Sequence, residues 1–351
     1  ALSADGAVRD HLAARYGRAN GVDAIQEYAD DAYRAIAEYV LDHEEPLPAG
    51  TAMRLTVADG RLMAAVNGGE PFDLLNLLPQ QYRGDVAAVE AELDGIIGLE
   101  EVKTFVRDIA KNVQAQQRRK AQGLQAASVN MHMIFTGNPG TGKTTIARIL
   151  SKYLKAIGAL RGGQLVEVTR ADLVGRYVGH TAPLTNQVIQ SALGGVLFID
   201  EAYSLYRGRE DSFGLEAIDT LVKGIEDHRD DLVVILAGYT REMQQFLTAN
   251  SGLASRFPNQ IEFPDYTGEQ LWQIAGSIAK GKGYALDAAC EAPLKDYFAR
   301  RQAADAGKNG NGRMARNVVE RAILNQSKRL VADPDASLEL LLPGDFDLDE
   351  D

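Results

Sequence analysis

The chain has 351 residues and a formal net charge of −12, so it is long enough for two or three domains and its surface is acidic on balance. An acidic balance argues against broad electrostatic capture of nucleic acid or of an anionic membrane, although a local basic pore stays possible. Cys290 is the only cysteine, which excludes an intrachain disulfide and a cysteine metal cluster. No stretch is typical of a membrane span or a signal peptide, and we therefore predict a soluble, cytoplasmic protein.

The first part of the chain predicts a small α+β module over residues 1–88. Apolar residues recur at helical spacing over residues 1–45, and Pro46 ends that pattern. Two short apolar runs then flank Asp59-Gly60, which is a typical hairpin signal. The module contains no convincing catalytic constellation, and docking of a partner or substrate is its expected role.

Residues 89–265 alternate between short apolar runs and helical stretches. This alternation is typical of a doubly wound parallel α/β sheet with helices on both faces. The predicted strands are residues 132–136, 165–168, 196–199 and 232–237. Ligands bind at the carboxyl ends of the strands in such sheets, so we expect the functional residues there.

The C-terminal part predicts a helical lid over residues 266–331, followed by an acidic tail over residues 332–351. The lid prediction depends on apolar residues at three- and four-residue spacing. For the tail the sequence leaves two alternatives: the apolar Leu340-Leu341-Leu342 segment docks on the protein, or the segment hangs free as a charged extension.

A complete G-x-x-x-x-G-K-[ST] phosphate-binding loop covers Gly137 to Thr144, between a predicted strand and a predicted helix. Its glycines let backbone N–H groups point inward at anionic oxygens, and the helix dipole adds partial positive charge. Lys143 is placed for the β- and γ-phosphates and Thr144 for Mg²⁺. An ordinary glycine turn is the weaker alternative. The predicted nucleotide contacts are Asn138, Pro139, Gly140, Thr141, Gly142, Lys143, Thr144 and Thr145.

Two carboxylates, Asp200 and Glu201, follow the apolar run Val196 to Ile199 at the end of a predicted strand. Asp200 suits the coordination shell of Mg²⁺, and Glu201 is then free to polarise an attacking water. A solvated turn would have the same composition, but the pairing with the phosphate-binding loop favours a site. The sequence therefore favours ATP hydrolysis with Mg²⁺ over nucleotide storage.

The order of four motifs resembles that of the AAA+ ATPases. They are Gly137–Thr144, Asp200-Glu201, Gly252–Phe257 and Asn311–Asn317. The segments Tyr177–Ala182, Gly194–Tyr203 and Phe263–Tyr266 are more specific. They are similar to the subfamily that contains red-type Rubisco activase and stage V sporulation protein K. The resemblance covers about residues 90–330 and leaves the N-terminal module unassigned.

The resemblance implies roles for further residues. Arg256 corresponds to an arginine finger that reaches the ATP of a neighbouring subunit, whereas an arginine that satisfies carbonyls at a helix end is the alternative. Arg313 corresponds to a sensor in the lid that contacts the γ-phosphate, and Arg316 is a weaker candidate for the same role. Lys143 and Glu201 complete this catalytic set.

The segment expected to pack on adenine is Ile96, Ile97 and Gly98. Tyr239 and Thr240 stand where many relatives have a sensor asparagine.

Tyr177, Val178 and Gly179 match the aromatic–aliphatic–glycine triplet that lines the pore of hexameric translocases in this class. A buried loop tyrosine is the alternative. The leading hypothesis is an ATP-driven homo-oligomeric ring, expected to be a hexamer, that remodels a protein client. An ATP-gated scaffold without threading is the alternative function, and a Rubisco-type enzyme is one alternative client. A nucleic-acid motor is disfavoured by the acidic charge and by the lack of an aromatic-basic binding motif.

Overall fold

The computed structural model describes residues 2–14, 23–41, 50–58, 60–77, 86–125, 127, 129–333 and 336–348. The N-terminal part contains the helices α1 (Gly6–Ala13) and α2 (Asp23–Leu41) and a four-stranded sheet. Its strands are β1 (Leu2–Ala4), β2 (Met53–Ala58), β3 (Arg61–Val66) and β4 (Phe72–Asp73).

The N-terminal module is built around the hairpin that the sequence predicts. β2 and β3 pair antiparallel, with Ala58 opposite Arg61, while Asp59 lies outside the described residues. One feature differs from the helical pattern expected at the start of the chain, because β1 pairs parallel with β2. Three residues are too few for a helix, and edge pairing satisfies their backbone groups. The apolar side of α2 covers the sheet through Tyr28, Ala32 and Ala35.

The central sheet has five parallel strands in the order β6-β7-β8-β5-β9. The strands are β5 (Met133–Gly137), β6 (Leu165–Val168), β7 (Val196–Ile199), β8 (Val233–Gly238) and β9 (Asn259–Phe263). The four predicted runs correspond to β5 to β8 within one residue. The fifth strand, β9, was not predicted because its exposed polar residues alternate with buried ones at the edge of the sheet.

Helices cover both faces of this sheet. They are α3 (Val86–Asp94), α4 (Glu100–Ala121), α5 (Lys143–Ala156), α6 (Arg170–Leu173), α7 (Thr181–Ala192), α8 (Ser212–Asp227), α9 (Thr240–Ala249) and α10 (Ser251–Ala254). The sheet buries apolar residues on both sides, and each side faces its own core: Phe135 and Phe198 point into one, Ile134 and Leu197 into the other. Successive residues of a strand face opposite sides, which explains this division.

The lid follows β9 and consists of α11 (Gly268–Gly281), α12 (Glu291–Asn309) and α13 (Gly312–Ala332). The segment after α13 packs on the lid: β11 (Leu340–Leu341) pairs parallel with β10 (Ala285–Leu286). Leu341 is fully buried. Of the two alternatives left by the sequence, the described residues 336–348 follow the docked one. Docking is favoured because it removes the apolar surface of these leucines from water.

The N-terminal module contacts the central sheet on the side remote from the carboxyl ends of its strands. Lys155 Nζ lies 3.1 Å from Asp31 Oδ2, and Arg161 pairs with both Asp73 and Asp231. Arg161 lies before β6 and Asp231 before β8, so this contact uses the loops at the amino ends of the strands. Among the described residues, no helix combines the length and apolar character that crossing a membrane requires.

Candidate nucleotide-binding site

The phosphate-binding loop connects β5 to α5 and is held open by left-handed backbone. Gly140 has φ = 73° and Gly142 has φ = 96°, a region that residues with a Cβ rarely adopt. Gly142 is the N-cap of α5, and no side chain caps that end. The first N–H groups of the helix are therefore available to an anion, and the helix dipole favours negative charge there.

Lys143 is nearly buried and extends along this loop. Its Nζ donates to the carbonyl oxygens of Gly137 and Asn138, both at 2.8 Å. Burial lowers the pKa of Lys143 to about 8, and the positive charge of Arg313 acts in the same direction, against the opposing effect of Asp200. A desolvated cation beside open backbone N–H groups is a strong attractor for phosphate oxygens.

Asp200 and Glu201 stand directly after β7, at the carboxyl edge of the sheet. Asp200 Oδ1 accepts a hydrogen bond from the Glu201 N–H at 3.0 Å. Glu201 has φ = 48° and ψ = 44°, a left-handed conformation that costs a residue with a Cβ about 1–2 kcal/mol. Strain of this kind is tolerated where the surroundings fix it, often at functional sites. The turn separates the two carboxylates, so Asp200 is half-buried while Glu201 is exposed.

A cleft of about 510 Å³ joins these elements, which is within the range usual for cofactor sites. From the central domain it is lined by Pro139, Gly140, Gly142, Lys143, Thr144, Thr145, Asp200, Glu201, Tyr203 and Tyr239. The lid and the preceding segment add Tyr266, Ile274, Ser277, Ile278, Gly312, Arg313 and Arg316. The structure thus brings Lys143, Glu201 and Arg313 to one cavity.

Part of the cleft lining is apolar. Ile96 and Ile97 form it, together with Leu99 and the lid residues Ile274 and Ile278. Such a lining suits an aromatic ring system, which gains from burial of its faces. Gly98, predicted for the same contact, does not line the cleft. Its backbone has φ = 65°, and a Cβ there would meet the Gln270 side chain.

The side chains of two predicted loop contacts bond to other protein groups, one to Asp265 and one within the loop itself. Asn138 Nδ2 donates to both carboxylate oxygens of Asp265, at 3.0 and 2.9 Å. Thr141 is fully buried, and its hydroxyl donates to the Asn138 carbonyl at 2.9 Å. Neither side chain lines the cleft. Sequence reasoning assigned all loop residues to the nucleotide because spacing alone does not show which way a side chain points.

Sequence reasoning named Tyr239 at the sensor position but missed two further aromatic residues of the site, Tyr203 and Tyr266. Tyr203 and Tyr239 stack with ring centroids 5.7 Å apart, and both line the cleft beside Glu201. Tyr266 lines it as well, and its hydroxyl donates to the Thr141 carbonyl at 3.2 Å. Burial raises the pKa of Tyr266 to about 12, so this hydroxyl keeps its proton at neutral pH. The sequence signals were the position of each tyrosine after a strand and, for Tyr203 and Tyr266, the last place in two of the segments that carry the family resemblance.

Arg256 lies away from the cleft. Its guanidinium pairs with Glu226 and donates from Nη1 to the Gly252 carbonyl at 2.7 Å. Tyr177, Val178 and Gly179 also lie outside it, on the loop between α6 and α7. Tyr177 is 68% and Val178 is 89% exposed. The cleft of this chain therefore lacks both the predicted arginine finger and the predicted pore residues.

The oxygen donors in the cleft fit Mg²⁺. Thr144 supplies a hydroxyl and Asp200 a carboxylate, and both line the cavity. Magnesium binds through few protein oxygens together with substrate phosphates and waters, so two donors suffice. In the described part of the chain, no group of three or more histidine, cysteine or acidic side chains could hold a metal alone.

A parallel sheet with a phosphate-binding loop after β5, an acidic pair after β7 and a helical lid over the cleft defines a P-loop ATPase. The family described as "ATPase family associated with various cellular activities (AAA)" matches residues 133–265, and the AAA lid domain matches residues 267–351. The chain belongs to the AAA family of ATPases. It hydrolyses ATP and uses ATP with Mg²⁺.

Curated relatives are similar over most of the chain. Stage V sporulation protein K of Bacillus subtilis (strain 168) is 47% identical over 249 residues, which is 71% of this chain and 77% of that protein. The chloroplastic ribulose bisphosphate carboxylase/oxygenase activase of Cyanidioschyzon merolae is 44% identical over 266 residues, or 75% and 90%. Protein CbbX of Cereibacter sphaeroides is 46% identical over 256 residues, or 72% and 82%.

The fold also has a counterpart among solved structures. The FIGL-1 AAA domain, solved in complex with ADP, aligns with a TM-score of 0.51 and 20% identity. The alignment covers 72% of this chain and 80% of that chain. The likeness shows the fold alone.

Proposed function

We propose that this ATPase is a homo-oligomeric ring motor that remodels a protein client, with ATP bound between neighbouring subunits. The observation that carries the proposal is the position of Arg256. The cleft gathers Lys143, Glu201 and Arg313, whereas Arg256 lies after α10 with its side chain partly exposed at the surface and does not line the cleft. An arginine that stabilises charge on the γ-phosphoryl group from outside its own chain needs such a surface position.

Within one subunit the cleft residues divide the work of hydrolysis. Lys143 and the N–H groups of its loop bind the β- and γ-phosphates, and Glu201 accepts a proton from the attacking water. Arg313 contacts the γ-phosphate from the lid. Thr144 and Asp200 hold Mg²⁺, which supplies neutralisation of charge on the phosphate oxygens. Arg256 of the neighbouring subunit completes the set.

The exposed loop between α6 and α7 supports threading. Tyr177 and Val178 are among the large apolar side chains left exposed. Gly179 has φ = 80° and open space around it, which lets the loop move. An aromatic face that packs without a specific partner suits sequence-tolerant contact with an extended polypeptide. We therefore assign Tyr177, Val178 and Gly179 to the pore of the ring.

The client is a folded protein that the N-terminal module of residues 1–88 helps to recruit. The relatives point to different clients: the names of two concern sporulation and ribulose bisphosphate carboxylase/oxygenase. Their identities of 47% and 44% lie too close together to choose between them. A carbon-fixing enzyme stays the client alternative. The cytoplasmic location expected from the sequence belongs to this proposal too.

A scaffold that assembles on ATP without threading is the second candidate. The docking of the N-terminal module through Lys155–Asp31 and Arg161–Asp73 favours it, because these partly buried pairs connect the module directly to the ATPase domain. Such a switch would keep Lys143, Asp200 and Arg256 and be indifferent to Tyr177. The two candidates therefore differ in one residue that does not touch the cleft.

The experiment that tests a shared site is ATP turnover measured across protein concentration for the wild type, Arg256→Ala and Glu201→Gln. Arg300→Ala is the matched control, because this arginine is exposed on α12 and pairs only locally with Asp296 in the described structure. We expect specific activity to rise steeply with concentration in the wild type and the control. Arg256→Ala is expected to lower it about a thousandfold, the effect usual for an arginine finger.

Glu201→Gln is expected to bind ATP without hydrolysing it, so that the ring stays assembled. Sedimentation in the presence of ATP measures this assembly. Turnover that is independent of concentration and survives the loss of Arg256 would mean that one chain holds a complete active site. In that case the proposals of a ring, of a pore and of a remodelling activity are all wrong.

A further inference from the structure

The phosphate-binding loop and the lid are joined by a cluster of amide and carboxylate groups outside the cleft. Asp265, just after β9, stands between Asn138 of the loop and Asn311 at the start of α13. Asn138 Nδ2 lies 3.0 and 2.9 Å from the two Asp265 oxygens, and Asn311 Nδ2 lies 2.7 Å from Oδ1. We name Asn138, Asp265 and Asn311 the amide clasp.

The lid end of the clasp is fixed in the protein interior. Asn311 has no exposed surface, and its Oδ1 accepts from the Tyr266 N–H at 3.0 Å and from Gln302 Nε2 at 2.7 Å. Its backbone has φ = 46° and ψ = −119°, which is unusual for a residue with a Cβ. A fully bonded side chain holds this conformation against its strain. The orientation of the first turn of α13 is therefore set by these bonds.

The loop end of the clasp meets the residue that binds phosphate. The Asn138 carbonyl accepts from Lys143 Nζ at 2.8 Å, while the Asn138 side chain donates to Asp265. One residue thus receives Lys143 on its backbone and holds Asp265 with its amide. Asn138 therefore connects Lys143 to Asp265 through hydrogen bonds, and the negative charge of Asp265 also acts on Lys143 directly, where it raises the pKa against the larger effect of burial.

The backbones of the loop and the lid also touch directly. The Gly312 N–H donates to the Gly140 carbonyl at 3.0 Å. A Cβ on Gly140 would lie 2.1 Å from the Gly310 carbonyl and 3.0 Å from the Arg313 nitrogen. Arg313 is two residues beyond Asn311, in the first turn of α13. Asn311 of the clasp and Gly312 of this backbone contact thus both lie within two residues of Arg313.

We propose that the amide clasp sets the position of the lid on the phosphate-binding loop, so that Asn138, Asp265 and Asn311 are positioning residues for ATP hydrolysis acting through Arg313. The proposal rests on the role of Arg313 given above and does not need a ring or a pore. Because the three residues lie outside the cleft lining, they act on the geometry of hydrolysis and not on contacts with the nucleotide.

The first test is Asp265→Asn, which keeps the shape of the side chain but turns an N–H towards one of two amide donors. We expect kcat to fall about tenfold and KM for ATP to stay within about twofold, since a misplaced group loses transition-state stabilisation without uniform binding. Asn138→Ala is expected to have the same signature, because it removes only the loop end of the clasp.

The rescue is the double variant Asp265→Asn with Asn311→Asp, which exchanges the carboxylate and the amide at unchanged charge. Asn138 then donates to the new amide oxygen, and the carboxylate at position 311 accepts from the new amide, Tyr266 and Gln302, while the donation from Asn311 Nδ2 to the Pro139 carbonyl at 3.3 Å is lost. We expect kcat to return to within about threefold of the wild type, as rescue by a swapped pair requires. Asn325→Ala is the matched control, since its amide joins α13 to the Asp345 carbonyl at 3.1 Å, far from the cleft.

Hydrogen exchange in a variant that binds ATP without hydrolysing it tests this proposal separately from the ring motor. In a Glu201→Gln background, hydrogen exchange of residues 311–316 is followed with and without ATP. We expect ATP to slow the exchange about tenfold when the clasp is intact and to have no such effect in Asp265→Asn. The melting temperatures of the proteins with and without this substitution should agree, which shows that both are folded. Unchanged kcat in both single variants, a rise in KM alone, or equal protection by ATP with the clasp broken would overturn the proposal, whether or not the protein forms a ring.

Discussion

Arg256 pairs with Glu226 of the same chain, between the segment after α10 and the last turn of α8. The Glu226 side chain is 59% exposed and that of Arg256 26%. In the proposed ring, the ATP of a neighbouring subunit must therefore replace Glu226 as the partner of Arg256. The pair acts as an internal competitor of the proposed subunit interface.

Glu226→Gln is therefore expected to favour assembly. Because an exposed ion pair contributes at most about 1 kcal/mol, the concentration for half-maximal ATPase activity should fall about two- to fivefold. The measurement is turnover against protein concentration. Glu320→Gln, which removes the exposed pair with Lys282 on the lid, is the control. If Glu226→Gln lowers this concentration equally in an Arg256→Ala background, Glu226 acts by a route other than its pair with Arg256.

Gly140→Ala is expected to separate the lid from the phosphate-binding loop. The new Cβ would lie 2.1 Å from the Gly310 carbonyl, at a residue with φ = 73°. A displacement of this size costs about a hundredfold in kcat/KM. Gly283→Ala is the control: it has φ = 83° but open space, so it should cost about 1 kcal/mol of stability. Steady-state kinetics and urea unfolding check both, and equal kinetic effects would contradict the contact argument.

Tyr177→Ala distinguishes a threading motor from a scaffold. The probe is fluorescent unfolded casein, an extended polypeptide, bound to the ATP-trapped Glu201→Gln protein and followed by anisotropy. We expect affinity to fall about tenfold, since a buried aromatic anchor contributes one to a few kcal/mol, with ATPase activity within about twofold when Glu201 is intact. Leu324→Ala, an exposed apolar residue of α13, should change neither. Unchanged casein affinity in Tyr177→Ala would favour the scaffold.

Asp345 is expected to make the docking of the C-terminal segment sensitive to acid. Burial opposes its charge, but the hydrogen bonds from Arg329 and the Leu342 N–H outweigh this effect and lower the pKa of Asp345 below its ordinary 3.8. Because the folded pKa is lower than the unfolded one, the stabilisation is full above the ordinary value and is lost as the pH falls through the folded value.

Asp345→Asn should release the segment at neutral pH. We expect hydrogen exchange of Leu340 and Leu341, corrected for intrinsic rates, to become about tenfold faster and insensitive to acid. Asp296→Asn, which breaks an exposed pair with Arg300 on α12, is the control. Exchange that stays slow in Asp345→Asn would mean that the β10–β11 pairing alone holds the segment.

Much of the fold follows from local patterns. The runs that became β5 to β8 are apolar because both faces of the sheet are covered, and this pattern is visible in one dimension. β9 was missed because an edge strand alternates buried and exposed residues over only five positions. The site was predictable where backbone conformation demands glycine, as at Gly140 and Gly142, or where an acid follows a buried strand, as at Asp200.

The sequence by itself determined the chemistry of the cleft. The phosphate-binding loop and the carboxylates after β7 are set by spacing, since backbone wrapping and parallel pairing bring them to one edge. Only the tertiary structure decided where Asn138 and Arg256 point. The former donates to Asp265, which also accepts from Asn311 at the start of α13, and the latter turns to Glu226. Both choices depend on partners more than 25 positions away in the chain, and hydrogen bonds between such distant residues leave no periodic signal in the sequence.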